Sequence, residues 1–241
     1  MNGKQTSKSV KRATSYGRAR QRRFPLRARR GKQAEMQSAL AKKDSMLSEL
    51  RHRIKNSLTI ITSLVSLEAN CASDATTREC LERVMGRVTS VAKLYELLAG
   101  SGEMHEVQLS EYLHQVIASI FASHGRRGGA IDLQIQCDKI ALNVRQAAPL
   151  GLIVNELVTN AFKHGFPNHE GGTVAVCLRQ NDHTITLEVS DNGKELPPDF
   201  TMEGSCGLGL QIVQMLTAQL GGTMEVKNSS AAFRLAFRPA A

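Results

Sequence analysis

Residues 155–167 read NELVTNAFKHGFP and place polar side chains on an otherwise apolar helix. Glu156, Asn160 and Lys163 or His164 follow one another at i, i+4 and i+7 or i+8, so they share one helical face. Asn160 can ligate a hard Mg²⁺ ion, Glu156 can orient water or a proton, and Lys163 or His164 can reach a phosphate. The stretch therefore predicts a metal–phosphate site, although a polar helix face by itself is usually only solvated.

Two further stretches, DNGKELP (191–197) and GSCGLGLQIV (204–213), carry compatible chemistry. Asp191 follows a predicted strand and can accept a hydrogen bond from the amino group of a base, while Gly193 allows close approach of the backbone. Glycines that lead into a helix present backbone N–H groups suited to phosphate oxygens. Alone, each stretch is also typical of an ordinary turn. The order and spacing of all three predict a nucleotide site.

Upstream, LRHRIKNSLTII (50–61) predicts an amphipathic helix, since Leu50, Ile54, Leu58 and Ile61 recur at helical spacing. Taken alone, His52 belongs to a solvated basic face. The sequence predicts two long helices, 34–70 and 75–99, joined by a short turn. Such a hairpin cannot bury both of its apolar stripes alone, so we expect a four-helix bundle formed by a homodimer.

The remainder alternates between helical and strand-forming patterns. We predict helices at 109–123, 146–164 and 207–219, and strands at 130–136, 140–144, 173–180, 184–190, 223–228 and 232–237. Helices mixed with antiparallel strands in this order predict an α+β sandwich.

The distribution of charged, apolar and cysteine residues argues against specific nucleic-acid binding and against a membrane-spanning or secreted protein. Of the 31 Lys and Arg residues, 12 lie in residues 1–33, which hold no acid, so the rest of the chain has 19 bases against 22 acids. The basicity therefore belongs to a tail that we predict to be disordered, and no pattern indicates specific nucleic-acid binding. No apolar run reaches the length of a transmembrane segment, and no signal peptide follows Met1. Five scattered cysteines, Cys206 among them, predict reduced thiols and a cytoplasmic protein.

The three polar stretches resemble the N, G1 and G2 boxes of the GHKL (Bergerat) ATP-binding domain. His52-Arg53-Ile54-Lys55-Asn56 is similar to the acceptor box His-Arg-x-x-Asn of a sensor histidine kinase subfamily, and the likeness extends over residues 45–239. The resemblance implies a basic tail (1–33), a hairpin dimerisation and phosphoacceptor domain (34–100) and an ATP-binding domain (105–239).

The resemblance also implies residue roles. His52 would be the phosphoacceptor, Asn56 would help position an acceptor site or a water, and Glu156 is the candidate base or, alternatively, only tunes Asn160 and its Mg²⁺. The nucleotide would be ATP, and the implied ATP-binding residues are Asn160, Lys163, His164, Asp191, Gly193, Gly204, Gly207, Leu208 and Gly209.

The implied activity is ATP-dependent autophosphorylation on histidine and phosphoryl transfer to a response-regulator aspartate in two-component signalling. Two alternatives remain: a degenerate kinase acting as a regulatory protein-binding module, and a GHKL ATPase or serine kinase. The expected partners are a receiver domain and a second copy of the chain. No sensor module fits into residues 1–33, so we expect the signal to come from a separate sensor protein, from the tail or from a severed upstream domain.

The chain departs from the family pattern at two places. Glu195 stands where the G1 box usually ends in a second glycine, and we expect this carboxylate to weaken but not abolish ATP binding. Ser-Ser-Ala-Ala (229–232) replaces a glycine before the last strand, and we interpret it as a surface turn.

Overall fold

The computed structural model describes residues 24–100, 106–124, 131–167, 171–202, 204, 207–228 and 231–240. Residues 1–23 of the predicted tail, Cys206, and Ser229 and Ser230 of the predicted turn lie outside them. By its contacts the chain divides into two compact units, Met1–Leu47 and Ser48–Ala241. The described part of the first unit is helix, with Met36, Leu40 and Met46 exposed.

The hairpin consists of α1 (Phe24–Cys71) and α2 (Ala75–Gly100). Helix α1 begins ten residues before the predicted start, so part of the predicted tail is helical. Proline is tolerated in a first turn, as at Pro25, and the arginines, leucine and alanine that follow favour helix. Asp74 ends the turn between the helices, and its carboxylate accepts a hydrogen bond from the backbone N–H of Thr77 at 2.7 Å. This hydrogen bond caps the start of α2, where unpaired backbone N–H groups need an acceptor.

The remaining elements follow the predicted order closely. They are β1 (Glu106–Gln108), α3 (Leu109–His124), β2 (Ile131–Cys137), β3 (Ala141–Asn143), α4 (Val144–Asn160), β4 (Gly172–Asn181), β5 (Thr184–Asp191), α5 (Leu208–Gln219), β6 (Thr223–Lys227) and β7 (Ala232–Phe237). Strand β1 was not predicted, because three residues are too short to show an alternating pattern. The predicted helix 146–164 ends as α-helix at Asn160 and continues as one π-helical turn, Ala161–Gly165.

The main sheet has the strand order β2-β4-β5-β7-β6, in which β2 and β4 are parallel and the other neighbours antiparallel. Alternate residues of β5, including Ile185, Leu187 and Val189, are buried, as expected for a sheet with one covered face. Their side chains share one core with residues of α3, α4 and α5. The predicted α+β class is confirmed.

Helix α2 packs against this core as well as against α1. Leu94 and Leu98 are buried in the same cluster as the residues of α3 and α4. The hydroxyl of buried Tyr112 on α3 donates to the carbonyl oxygen of Ser90 at 3.0 Å, and its ring lies against Gly151 of α4, where a Cβ would overlap it. The core therefore continues across the predicted boundary between the hairpin and the ATP-binding domain. That boundary remains a prediction.

Among the described residues, none of the helices combines the length and the apolar character that crossing a bilayer requires.

Candidate functional site

A cavity of about 430 Å³ opens where α4, its π-helical turn, the end of β5 and the start of α5 meet. This volume falls in the range of small-molecule sites. One part of its wall is polar and includes Glu156, Asn160 and His164, while Leu196, Phe200 and Phe233 are apolar residues that also line it. A cavity with both kinds of wall suits a ligand that carries a flat apolar ring and an anionic chain.

Asp191 lies at the end of β5, on the wall of this cavity. Its Oδ1 accepts a hydrogen bond from the backbone N–H of Gly193 at 3.0 Å. Burial raises the pKa of the Asp191 carboxyl above its ordinary value of 3.8, and the hydrogen bond from Gly193 offsets part of that effect. A partly desolvated carboxylate held in one orientation is a suitable acceptor for the amino group of a base.

The loop after Asp191 is held tightly against the π-helical turn. The backbone N–H of Lys194 donates to the carbonyl oxygen of Gly165 at 2.8 Å. A Cβ on Gly193 would overlap that same carbonyl, and a Cβ on Gly165 would lie 2.5 Å from Oδ1 of Asp191. The side chain of Asn192 accepts from the backbone N–H of Thr173 at 2.6 Å, which fixes the loop to β4. Gly165 therefore makes room for the carboxylate of Asp191, and Gly193 makes room for the backbone of Gly165. The role of Gly165 was not predicted from the sequence.

Glu156 is buried on α4, and its carboxylate is paired with Arg87 of α2. Arg87 Nε lies 2.8 Å from Oε1 and Arg87 Nη2 lies 3.0 Å from Oε2, a bidentate arrangement. The hydrogen bonds that Arg87 donates to Glu156 raise the pKa of Arg87 above its ordinary value. Because both oxygens of Glu156 are engaged, the pairing favours an orienting role over that of a free base. Arg87 itself was not singled out, since an arginine on a predicted helix carries no distinctive signal.

The start of α5 lies directly against the polar wall. Gly207, Leu208 and Gly209 all line the cavity, and a Cβ on Gly209 would lie 2.7 Å from Oε2 of Glu156. The absence of a side chain there keeps open the space between α4 and the first N–H groups of α5. Phosphate oxygens are favoured in such a position.

The same wall fits a magnesium ion. No group of three or more His, Cys, Asp or Glu side chains that could hold a metal occurs within the described ranges. Mg²⁺ bound to a nucleotide needs only one or two protein ligands, because phosphate and water oxygens supply the rest. The amide oxygen of Asn160, which lines the cavity, is chemically suited to that role.

His52 lies on the exposed surface of α1 and is not among the residues that line the cavity. The next turn of α1 is tied to α2, because Lys55 Nζ lies 2.8 Å from Oε1 of Glu96. Hydrogen bonds from Lys55 and Lys93 hold the pKa of Glu96 below its ordinary value. Arg53 pairs instead with Glu49 along the same helix, with Nη2 and Oε1 2.7 Å apart. His52 is therefore presented to solvent on a helix fixed by its neighbours.

The structure brings most of the predicted ligand residues around one cavity, and these are Glu156, Asn160, His164, Asp191, Gly207, Leu208 and Gly209. Gly193 does not line the cavity, but its backbone N–H donates a hydrogen bond to Oδ1 of Asp191. Lys163 does not line this cavity and lies 3.5 Å from Glu79 of α2. Gly204 does not line it either, and its N–H donates to Oγ1 of Thr201. Asn56 is exposed one turn after His52, and Glu195 is exposed at the cavity rim.

Comparisons with known proteins agree with this geometry. Residues 49–124 match the family described as histidine kinase, and residues 145–240 match the family described as histidine kinase-, DNA gyrase B-, and HSP90-like ATPase. The first range contains His52, and the second contains every residue that lines the cavity except Arg83 of α2.

Similar curated proteins and a similar solved structure cover the same region. The sensor histidine kinase PdtaS of Mycolicibacterium smegmatis is 32% identical over 77% of this chain and 37% of its own length. Blue-light-activated histidine kinase 2 of Erythrobacter litoralis is 28% identical over 80% of this chain and 56% of its own length. The solved histidine kinase domain of a blue-light activated histidine kinase from Erythrobacter litoralis has a TM-score of 0.61 and 26% identity, and covers 84% of this chain and 94% of that one. The chain thus spans about a third to a half of the length of these curated relatives.

Proposed function

We propose a reaction for this chain from one premise: it belongs to the histidine kinases whose catalytic part is a GHKL-type ATP-binding domain. The chain phosphorylates its own His52 with ATP and then passes the phosphoryl group to an aspartate on a response-regulator receiver domain. The observation that carries this proposal is an exposed histidine on the hairpin, within the same compact unit as a cavity of nucleotide size.

The residues of the cavity divide the work of binding. Asp191 accepts from the exocyclic amino group of adenine, and the apolar side chains of Leu196 and Phe233 contact the ring. The first N–H groups of α5 and His164 contact phosphate oxygens. Asn160 would hold Mg²⁺, and the bound ion would supply positive charge that neutralises the phosphate oxygens.

In the first step, an unprotonated nitrogen of the His52 imidazole attacks the γ-phosphorus of ATP. A nitrogen–phosphorus bond forms, the bond to the β,γ-bridging oxygen breaks, and ADP leaves. In the second step, a receiver carboxylate attacks that phosphorus and the imidazole is the leaving group. Because His52 does not line the cavity, the first step requires either a movement of α1 or a second copy of the chain that brings its own His52 to the cavity.

Glu156 acts through its neighbours in this scheme. Its carboxylate is oriented by Arg87 and lies against Gly209, so it fixes the approach of α5 to α4. The alternative role, general base for the imidazole proton, requires release from Arg87 first.

The experiment is a radioactive labelling of the purified chain with γ-labelled ATP. Wild type gains an acid-labile, alkali-stable label, as a phosphohistidine does, and His52→Ala gains none. His114→Ala is the matched control, because His114 is another exposed helical histidine, and it keeps the label. Label that survives the His52 change contradicts the assignment and favours an ATPase or serine kinase. Nucleotide binding without any label favours the regulatory module.

A further inference from the structure

Helix α2 carries three charged side chains at intervals of one turn on the side toward α4 and its π-helical turn: Glu79, Arg83 and Arg87. The two outer ones are paired across the helix interface. Glu79 Oε2 lies 3.5 Å from Nζ of Lys163, and Arg87 holds both oxygens of Glu156. The two pairs fix the register of α2 against α4.

Arg83, between them, has no such counter-ion. Within the part of the chain that the structure describes, its guanidinium makes neither a salt bridge nor a hydrogen bond, and the residue is exposed. On α4, the position between Glu156 and Lys163 is occupied by Asn160, which carries no charge. Between the two ion pairs, the positive charge of Arg83 is therefore not neutralised by a residue of α4.

Arg83 also lines the cavity, as do Asn160, Gly207 and Gly209. It is the residue of α2 that does so, and every other lining residue comes from α4 or from later elements. Lys194 also lines the cavity, but it lies on the loop after Asp191, whose carboxylate is assigned to the base. Lys163 is paired with Glu79 and does not line the cavity.

We propose that Arg83 is a nucleotide-binding residue contributed by the phosphoacceptor hairpin, and that its guanidinium binds the terminal phosphate of the nucleotide. The inference rests on the proposed function, because it needs the cavity to hold ATP. A guanidinium presents a rigid fork of donors that matches phosphate oxygens bidentately, and it stays charged at every physiological pH. The neighbouring pairs hold α2 so that this fork faces the polar wall.

This arrangement makes the terminal phosphate a bridge between the hairpin and the ATP-binding fold. A nucleotide that lacks the β- and γ-phosphates would keep its contacts with Asp191 but lose the one with Arg83. Affinity for ATP relative to AMP therefore depends on Arg83, whereas affinity for AMP does not.

The test is calorimetric titration of the full chain with adenylyl-imidodiphosphate plus Mg²⁺, and separately with AMP. Arg83→Ala weakens binding of the ATP analogue by about tenfold or more, the loss expected when a charge-assisted contact with an anion is removed. It leaves AMP affinity unchanged, and Arg83→Lys gives an intermediate result. Lys93→Ala, which removes another cation of α2 that does not line the cavity, behaves as wild type. Thermal unfolding without nucleotide, unchanged in Arg83→Ala, shows that the fold is intact.

An unchanged affinity of Arg83→Ala for the ATP analogue overturns the proposal. An equal loss of affinity for the analogue and for AMP also overturns it, because that pattern indicates a structural role. Wild type that binds neither ligand refutes the proposed function itself, and the role of Arg83 falls with it. The binding measured with the wild-type chain thus distinguishes a failure of the proposed function from a failure of the role proposed for Arg83.

Discussion

Asp191 occupies a setting that lowers the stability of the folded chain. Its pKa is raised by burial above the ordinary value of 3.8, so the folded state binds a proton more readily than the unfolded chain does. The free energy of unfolding therefore falls as the pH rises from the ordinary pKa through the raised one, and the deficit persists at neutral pH. The buried carboxylate of Asp191 therefore lowers the free energy of unfolding. Binding a ligand through this carboxylate gives a reason for its position in the cavity.

We predict that Asp191→Asn raises the midpoint of thermal unfolding at neutral pH, because no charge then has to be buried. The gain shrinks as the pH is lowered toward 4, where the wild-type carboxyl takes up a proton. The same change weakens binding of an ATP analogue by about tenfold or more, since a buried acceptor is lost. Calorimetry and thermal scans between pH 4 and pH 8 check both effects.

Asp199→Asn is the control, because Asp199 is an exposed carboxylate on the same loop and does not line the cavity. This change should alter neither the unfolding midpoint nor the binding of the ATP analogue. A stabilisation by Asp191→Asn that does not vary with pH would contradict the account.

Between elements, the pair Arg87–Glu156 joins α2 to α4 with little solvent around it. The side chains of Arg87 and Glu156 are 17% and 4% exposed. Removing one partner of a buried pair leaves an uncompensated charge, which costs far more than the pair contributes. The exposed pair Arg53–Glu49 on α1, with side chains 75% and 64% exposed, is the natural contrast.

We predict that Arg87→Ala lowers the free energy of unfolding by about 3 kcal/mol, whereas Arg53→Ala lowers it by less than about 1 kcal/mol. Glu156→Gln in the Arg87→Ala background recovers part of the loss, because the buried charge is gone. Urea denaturation followed by circular dichroism measures all four proteins. Equal losses for Arg87→Ala and Arg53→Ala would show that solvent reaches Glu156.

The elements themselves were largely predictable, because their apolar periodicities are long and uninterrupted. The stripe of Ile54, Leu58 and Val65, for example, is half-buried as the helical spacing indicates, and β4 and β5 alternate as expected. The π-helical turn after Asn160 could not be predicted, since the stretch AFKHG differs from ordinary helix only in how its hydrogen bonds close.

Some of the residues that line the cavity could be predicted, because they lie close in the sequence to residues of related chemistry. Asp191, Asn160 and the glycines lie in local stretches whose chemistry shows in the sequence. Arg83 and Arg87 lie about 70 residues before the α4 residues that they face. No local sequence pattern predicts how α2 packs against α4, so their roles could not be predicted. Lys163 and His164 were indistinguishable by spacing, and only the geometry of the turn brings His164 to the cavity.

At the scale of the whole molecule, α1 carries an apolar surface that the described chain leaves uncovered. Within the second unit, Leu50, Ile60, Ile61, Leu64 and Leu67 are 44–62% exposed. The neighbouring stripe of Ile54, Leu58 and Val65 is half-buried instead. One side of the helix is thus used within the chain, and an adjacent side is available to a second copy, as the predicted four-helix bundle requires.

We predict that the chain is a dimer at micromolar concentration and that Ile61→Glu with Leu64→Glu converts it to a monomer. A carboxylate placed in the centre of an apolar bundle seam would have to be desolvated without a partner, and this favours dissociation. Multi-angle light scattering measures the mass of both proteins. Met215→Glu is the matched control, because Met215 on α5 is 61% exposed, close to the 60% of Leu64, but lies on a different element. The control should stay dimeric, and a wild-type mass equal to one chain would refute the bundle.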